Sequence, residues 1–291
     1  MIKRLVGRVN TLLVILLCAG CASTTSNVKT AQSDVLVYSG PNMRTSLETL
    51  AKSFEAHTGR RVTVVADDVR PLIARIARER AAGQRGPDLF CTHDPFLTTL
   101  IASGQTVREA WTVASLEPVI VVPKGNPQHI ASLRDFARTG LRVGLTDSTQ
   151  TISGEIVRVM FRRAGVADAV EKNVVVKTMQ GRDLCKALLA GECDVGIVWN
   201  AVVAGDADAV DAIPIEPTFR PQRGVDAEVN SPTLGRLELD YVRVSIALLD
   251  ASTNDDLARQ FVEWTRSPDG AAVFLSNGFS PPAPDRPALP R

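Results

Sequence analysis

Apolar residues along the chain recur at two alternating periods. Val35-Leu36-Val37-Tyr38 is a short β-branched and aromatic run closed by the turn formers Ser39-Gly40-Pro41-Asn42, after which Leu47, Leu50, Ala51 and Phe54 return at helical spacing. Gly59 ends that helix, Arg61 to Val65 reads as the next strand, and Leu72, Ile73, Ile76 and Ala77 mark the next helix. Leu89-Phe90-Cys91 is a third strand, between Gly86-Pro87-Asp88 and His93-Asp94-Pro95. Parallel strands need crossover connections, so the alternation predicts a mostly parallel sheet with helices on its faces.

The rhythm changes around Leu116 to Pro123, a long strand that leads into Lys124-Gly125-Asn126-Pro127 and a second α/β series. That series reads as a helix at Ile130 to Ala137, a strand at Leu141 to Leu145 and a helix at Ser153 to Ala164 ended by Gly165. A strand at Val174 to Lys177, a helix at Gly181 to Ala190 and the buried strand Asp194 to Trp199 follow. Tyr241 to Leu248 alternates as a strand able to recross to the first lobe, and Asp255 to Thr265 and Gly270 to Leu275 give amphipathic helices. The expected organisation is α/β with two lobes: 34–116, then 117–242, then a return to the first lobe over 243–280 and a Pro-rich tail over 281–291. No internal repeat of fixed period is visible.

The N-terminus is of another kind. Lys3, Arg4 and Arg8 precede the uninterrupted apolar run Leu12 to Leu17, the layout of an export signal over residues 1–20. The run is shorter than the roughly 20 apolar residues that cross a bilayer as a helix. Leu17-Cys18-Ala19-Gly20-Cys21 resembles the lipobox of bacterial lipoproteins, which implies a lipid on Cys21 and a polar tether over 21–33. The alternative is an ordinary secretory peptide cleaved nearby. Either reading puts the folded part outside the cytoplasm, at the periplasmic or extracytoplasmic face of a membrane. In that oxidising compartment Cys91, Cys185 and Cys193 are an odd set, so a Cys185–Cys193 disulfide and buried free thiols both stay open.

Composition narrows the function. Of 291 residues 45% are hydrophobic and 22% charged, the profile of an ordinary globular protein. The formal net charge is +1, which leaves no electrostatic footprint for nucleic acid. The chain has no P-loop, no G-x-G-x-x-G after a strand, no H-E-x-x-H and no G-x-S-x-G, and its three histidines, His57, His93 and His129, lie in different segments. Catalysis is poorly supplied and no cofactor is expected. What the chain does supply is strand-to-helix junctions at Ser39 to Arg44, Asp67 to Arg70, Thr92 to Pro95, Thr146 to Gly154 and Thr178 to Arg182. In α/β folds such junctions lie at the carboxyl edges of strands, where ligands bind and helices present free N–H groups.

These features in this order resemble a family. Ser46 to Phe54, Gly86-Pro87-Asp88-Leu89-Phe90, Val121 to Pro127, Asp194 to Ala201 and the terminal Phe261 to Phe279 are similar to the substrate-binding proteins of ABC importers, and within them to the periplasmic molybdate- and tungstate-binding proteins. The resemblance covers about Asp34 to Pro281. It implies a type II periplasmic-binding-protein fold of mixed sheets flanked by helices, a ligand cleft between lobes, hinge closure and delivery to an ABC permease by a monomer. It also implies an oxyanion held by Asn42, by the turn Asp67-Asp68-Val69, by Thr149, Gln150 and Thr151, by Met179 and Gln180, and by Trp199 with Asn200. The serines of the family's first two turns are missing here, and carboxylates would repel an oxyanion. A metal cation on Asp67, Asp68, Cys91 and His93 is the alternative ligand, and a sensor docking on a membrane receptor the alternative role. Arg44 and Arg70 are further candidate anion partners.

Overall fold

The computed structural model describes residues 34–93, 96–97, 107–221, 226, 229–231, 235–237 and 242–282. The expected signal peptide 1–20, the lipid site Cys21, the tether 21–33, the Asp94-Pro95 turn and the tail beyond Pro282 lie outside the described residues. Residues 33–291 form one compact unit by themselves.

A strand buried on both faces belongs inside a sheet that helices cover, and β1 (Val35–Ser39) is of that kind. α1 (Arg44–Thr58) follows a short 3₁₀ turn and ends at Gly59, whose φ of 70° is a left-handed cap that suits glycine. Then come β2 (Val62–Ala66), α2 (Val69–Ala81), β3 (Leu89–His93) and β4 (Val107–Leu116). After the single residue Glu117 the second series runs β5 (Pro118–Pro123), β6 (Val143–Thr146), α3 (Ile152–Ala164), α4 (Ala167–Asn173) and β7 (Val174–Thr178). It continues through α5 (Gly181–Leu189), β8 (Val195–Trp199), α6 (Asn200–Val203) and β9 (Val210–Pro214). A small hairpin of β10 (Val229–Ser231) and β11 (Gly235–Leu237) precedes β12 (Val242–Leu249), α7 (Asp255–Arg266) and α8 (Pro268–Ser276).

Two five-stranded sheets result, ordered β2-β1-β3-β12-β4 and β7-β6-β8-β5-β9. They share one plan. In each, three parallel strands are followed by one antiparallel strand, β12 in the first sheet and β5 in the second, and then by an edge strand, β4 or β9, that pairs antiparallel with it. The chain passes between sheets at Glu117 and returns through β12. One side chain pins that passage: the Asn200 carboxamide accepts from Glu117 N at 3.0 Å and donates to Ser280 Oγ at 3.0 Å. Ser280 in turn exchanges backbone hydrogen bonds with Ser115 at the end of β4, each 2.9 Å.

Where the sequence reading missed or overextended an element, the cause is local. Ile130 to Ala137 is not an α-helix, and only Leu133–Ala137 forms a 3₁₀ turn. The Asn126 carboxamide takes both backbone groups of Ile130, at 2.8 and 2.9 Å, and so removes them from a helix. β4 was hidden because its charges, Arg108 and Glu109, face neither core nor solvent alone but pair with Asp255 and Arg259 of α7 at 2.6 and 2.7 Å. Cys185 and Cys193 are buried free thiols and form no disulfide, and burial pushes both up to about 11.

The first lobe's core holds one buried carboxylate. Asp88 accepts from Leu36 N at 2.8 Å, from the Arg85 guanidinium at 3.1 Å, and from Ser252 Oγ and Thr253 N at 3.1 Å each, and so ties β1, β3 and the segment before α7 together. Removing one partner of a buried, hydrogen-bonded charge costs about 3–5 kcal/mol. Asp88→Ala is therefore expected to lower the unfolding free energy measured by urea denaturation by that amount, as a lower midpoint with an unchanged slope. A loss under about 1 kcal/mol would mean that the donors find other partners.

Candidate functional site

Every parallel strand in the two sheets ends at the same place. The segments that follow Ser39, Ala66, His93, Thr146, Thr178 and Trp199 line one cleft between the lobes, with a volume of about 310 Å³. Lobe 1 contributes Asn42, Asp68, Arg70 and His93 among others, and lobe 2 contributes Gln150, Thr151, Ser153, Met179, Gln180, Arg182 and Trp199.

The best-built wall is the loop from β6 into α3. Asp147 N donates to Thr178 O at 2.9 Å and anchors the loop to β7. Its carboxylate accepts from both N and Oγ1 of Thr149 at 2.7 Å, and those bonds hold its pKa below the usual carboxylate range. Thr151 caps the helix: its Oγ1 accepts from Gly154 N at 3.0 Å and donates to Asp147 O at 2.8 Å. Thr146 Oγ1 and Ser153 Oγ share a hydrogen bond of 2.9 Å beside it. The cap serves Gly154, and in a helix the N–H groups of the two residues before it, Ile152 and Ser153, have no intrahelical acceptor. Both residues line the cleft. α5 opens on the same space, with Gln180 at its N-cap position making no side-chain cap bond and Gly181 and Arg182 in its first turn. α2 opens there too, at Asp68, Val69 and Arg70.

Two arginines project from these first turns, one from each lobe. Arg70 of α2 reaches across and donates to Gln150 O at 3.4 Å, and Arg182 starts α5. Neither makes an ion pair with a described residue. The cleft floor is aromatic: His93 packs edge-on to Phe96 at 5.2 Å and lies 6.5 Å from Trp199, which is 7% exposed.

Of the residues expected from the sequence, Asn42, Asp68, Gln150, Thr151, Met179, Gln180, Trp199 and His93 lie together on the cleft. Five do not line it. Asp67 turns back and accepts from Asp68 N at 2.8 Å, Thr149 bonds to Asp147, and Asn200 pins the lobe crossing. Cys91 is fully buried in β3 with its thiol pushed up by burial, so it cannot join Asp67 and His93 around a cation. Among the described residues no group of three or more His, Cys, Asp or Glu side chains could hold a metal ion. Arg44 is engaged by Ala66 O and Glu48. Arg182 and Ser153 are site residues that the sequence reading did not single out. The available signal was their place in the first turn of a helix at a flagged junction. A second, open groove lies on lobe 1 by Thr58, Arg60, Asn254 and Asp256 and draws on no strand end.

The chain matches the family model of the bacterial extracellular solute-binding proteins over residues 35–280. A binding protein of Haemophilus influenzae is 25% identical over 258 residues, 89% of this chain and 94% of the relative. The molybdate-binding protein ModA of Mycobacterium tuberculosis is 22% identical over 263 residues, 90% of each chain. Among solved structures, the substrate-binding domain assigned to a molybdenum ABC transporter of Clostridium difficile superposes with a TM-score of 0.69 at 12% identity, covering 86% of this chain and 99% of that one. These matches bear out the two-lobe α/β fold and the resemblance to the molybdate-binding proteins. No helix among the described residues is long and apolar enough to cross a membrane.

Gly154 allows the loop to lie against α3. A Cβ there would meet backbone atoms of Asp147 and Ser148 at 2.6 Å, a contact that no side-chain rotation relieves. Gly154→Ala is expected to cost about 1–3 kcal/mol, the usual range for overpacking, and to displace residues 147–151 from the cleft. Thermal unfolding, together with amide hydrogen exchange of that loop, measures both. Wild-type exchange in the variant would contradict the reading.

Proposed function

The chain belongs to the bacterial extracellular solute-binding proteins, and on that premise we propose that its interlobe cleft binds an oxyanion for delivery to an ABC permease. One observation carries the reading: six strand ends, three helix N-termini and two arginines, neither of them ion-paired with a described residue, face one space from both lobes. Free N–H groups at helix starts, aligned with the helix dipole, favour a negative group. Guanidinium forks match its oxygens geometrically. Each set stands on its own rigid lobe, so a ligand touching both favours the closed arrangement by its differential affinity. Arg70 and Gln150, which already meet across the gap, are the first lobe-to-lobe contact of that closure.

We further propose that the protein is exported and held at the outer face of the membrane by a lipid on Cys21, with residues 21–33 as the tether, and that it works as a monomer. The lipobox-like Leu17 to Cys21 supports the anchor.

Calorimetry on the unit from Ser33 to Arg291 tests the anion reading with molybdate, tungstate, sulfate and phosphate beside Zn²⁺ and Fe³⁺. Hydrogen bonds to charged groups contribute about 1.5–3 kcal/mol each, so Arg70→Ala and Arg182→Ala are each expected to weaken oxyanion binding at least about tenfold. Metal binding that disappears in His93→Ala, with silence toward every anion, would overturn the reading.

A further inference from the structure

A cleft with the features of an anion site carries one negative side chain. Among the described residues that line it, Asp68 is the one acid, beside Arg70, Arg182 and His93. The local sequence explains why its carboxylate is left over. Asp68 is the N-cap of α2, where an aspartate ordinarily accepts from the N–H of the second or third helical residue. Here the third is Pro71, which has no N–H, and the carboxylate makes no cap hydrogen bond. It is exposed and has no other hydrogen-bond or ion-pair partner among the described residues. Asp67, the adjacent acid, is engaged: its carboxylate accepts from Asp68 N at 2.8 Å and does not line the cleft. A carboxylate beside a bound anion repels it unless the ligand offers a hydrogen to accept. Molybdate, tungstate and sulfate are fully deprotonated at neutral pH and present only acceptors. Phosphate and arsenate keep a proton there, and an O–H donating to a carboxylate makes one of the short, strong hydrogen bonds.

We propose that Asp68 is a specificity-determining residue: it accepts from a protonated oxygen of the ligand, so that the cleft selects oxyanions that keep a proton over bare dianions. This rests on the anion reading of the same cleft. The deprotonated oxygens meet the lobe 2 helix starts at Ile152, Ser153 and Gly181 and the Arg182 guanidinium, and the remaining O–H is directed at Asp68 on lobe 1. A bare dianion in the same place sets an oxygen lone pair against the carboxylate. A site built to bond an O–H rejects the analogue that lacks it far more strongly than apolar contacts discriminate by size.

The hydrogen phosphate dianion and sulfate share charge and shape and are nearly equal in size, so their comparison isolates the proton. Calorimetry on the Ser33 to Arg291 unit at neutral pH sets phosphate and arsenate against sulfate, molybdate and tungstate. The proposal expects the first two to bind at least about tenfold more tightly than the three bare dianions. In Asp68→Asn that preference is expected to collapse: phosphate weakens, and sulfate holds or gains because the carboxamide donates where the carboxylate repelled. Asp67→Asn, on the neighbour that closes its own turn, is expected to leave the preference unchanged. Bare dianions binding as tightly as phosphate, Asp68→Asn weakening all five anions by the same factor, or Asp67→Asn abolishing the preference equally well would overturn the proposal and leave the anion site standing. Silence toward all five anions would overturn both.

Discussion

Parallel strands cannot be joined by tight turns, and much of this molecule follows from that constraint. Each parallel pair needs a crossover on a sheet face, and each crossover helix starts where the preceding strand ends. The free N–H groups of α2, α3 and α5 are therefore gathered along the carboxyl edges of two sheets without any residue being chosen for that purpose. The local sequence refines what the topology supplies. Thr151 satisfies one N–H and leaves its neighbours to the cleft, and Gly154 lets the loop lie flat on the helix.

Two sheets with the same strand plan would still make no cleft unless their edges faced one another. That orientation depends on a short passage: one residue, Glu117, separates β4 from β5, and Asn200 holds it to the end of β8 and to Ser280. The Arg220 guanidinium, 2.8 Å from the Glu117 carboxylate, adds a charge pair at the same point. The passage is thus short and hydrogen-bonded, and it lies next to Trp199 on the cleft. A ligand that presses on Trp199 acts one residue away from the pin between the lobes.

The layered α/β plan was legible because the strands carry β-branched runs and the helices recur at their own period, with Gly59 and Gly165 as stops. The location of the cleft followed from the junctions. Which side chain at a junction faces the cleft was not legible. Asp67 and Asp68 are neighbours of one kind, yet one closes its own turn and the other opens onto the ligand space. Asn200 follows the last cleft strand in sequence and serves the lobe crossing instead, because its partners Glu117 and Ser280 are far away in the chain. Cys91 and His93 are two apart on β3, and strand periodicity alone does not tell which neighbours cover the face they share: a fully buried thiol and a partly exposed imidazole.

The central claim is that the helix starts on the strand edges are the anion-binding elements. Amide chemical-shift mapping of the Ser33 to Arg291 unit, titrated with the tightest-binding of molybdate, tungstate, sulfate and phosphate, tests it most directly. The account predicts the largest shifts at the N–H groups of Ile152, Ser153, Gly181 and Arg182, with smaller ones at Val69 and Arg70. Shifts confined to the lobe 1 groove around Arg60 and Asn254, with those amides unmoved, would contradict it.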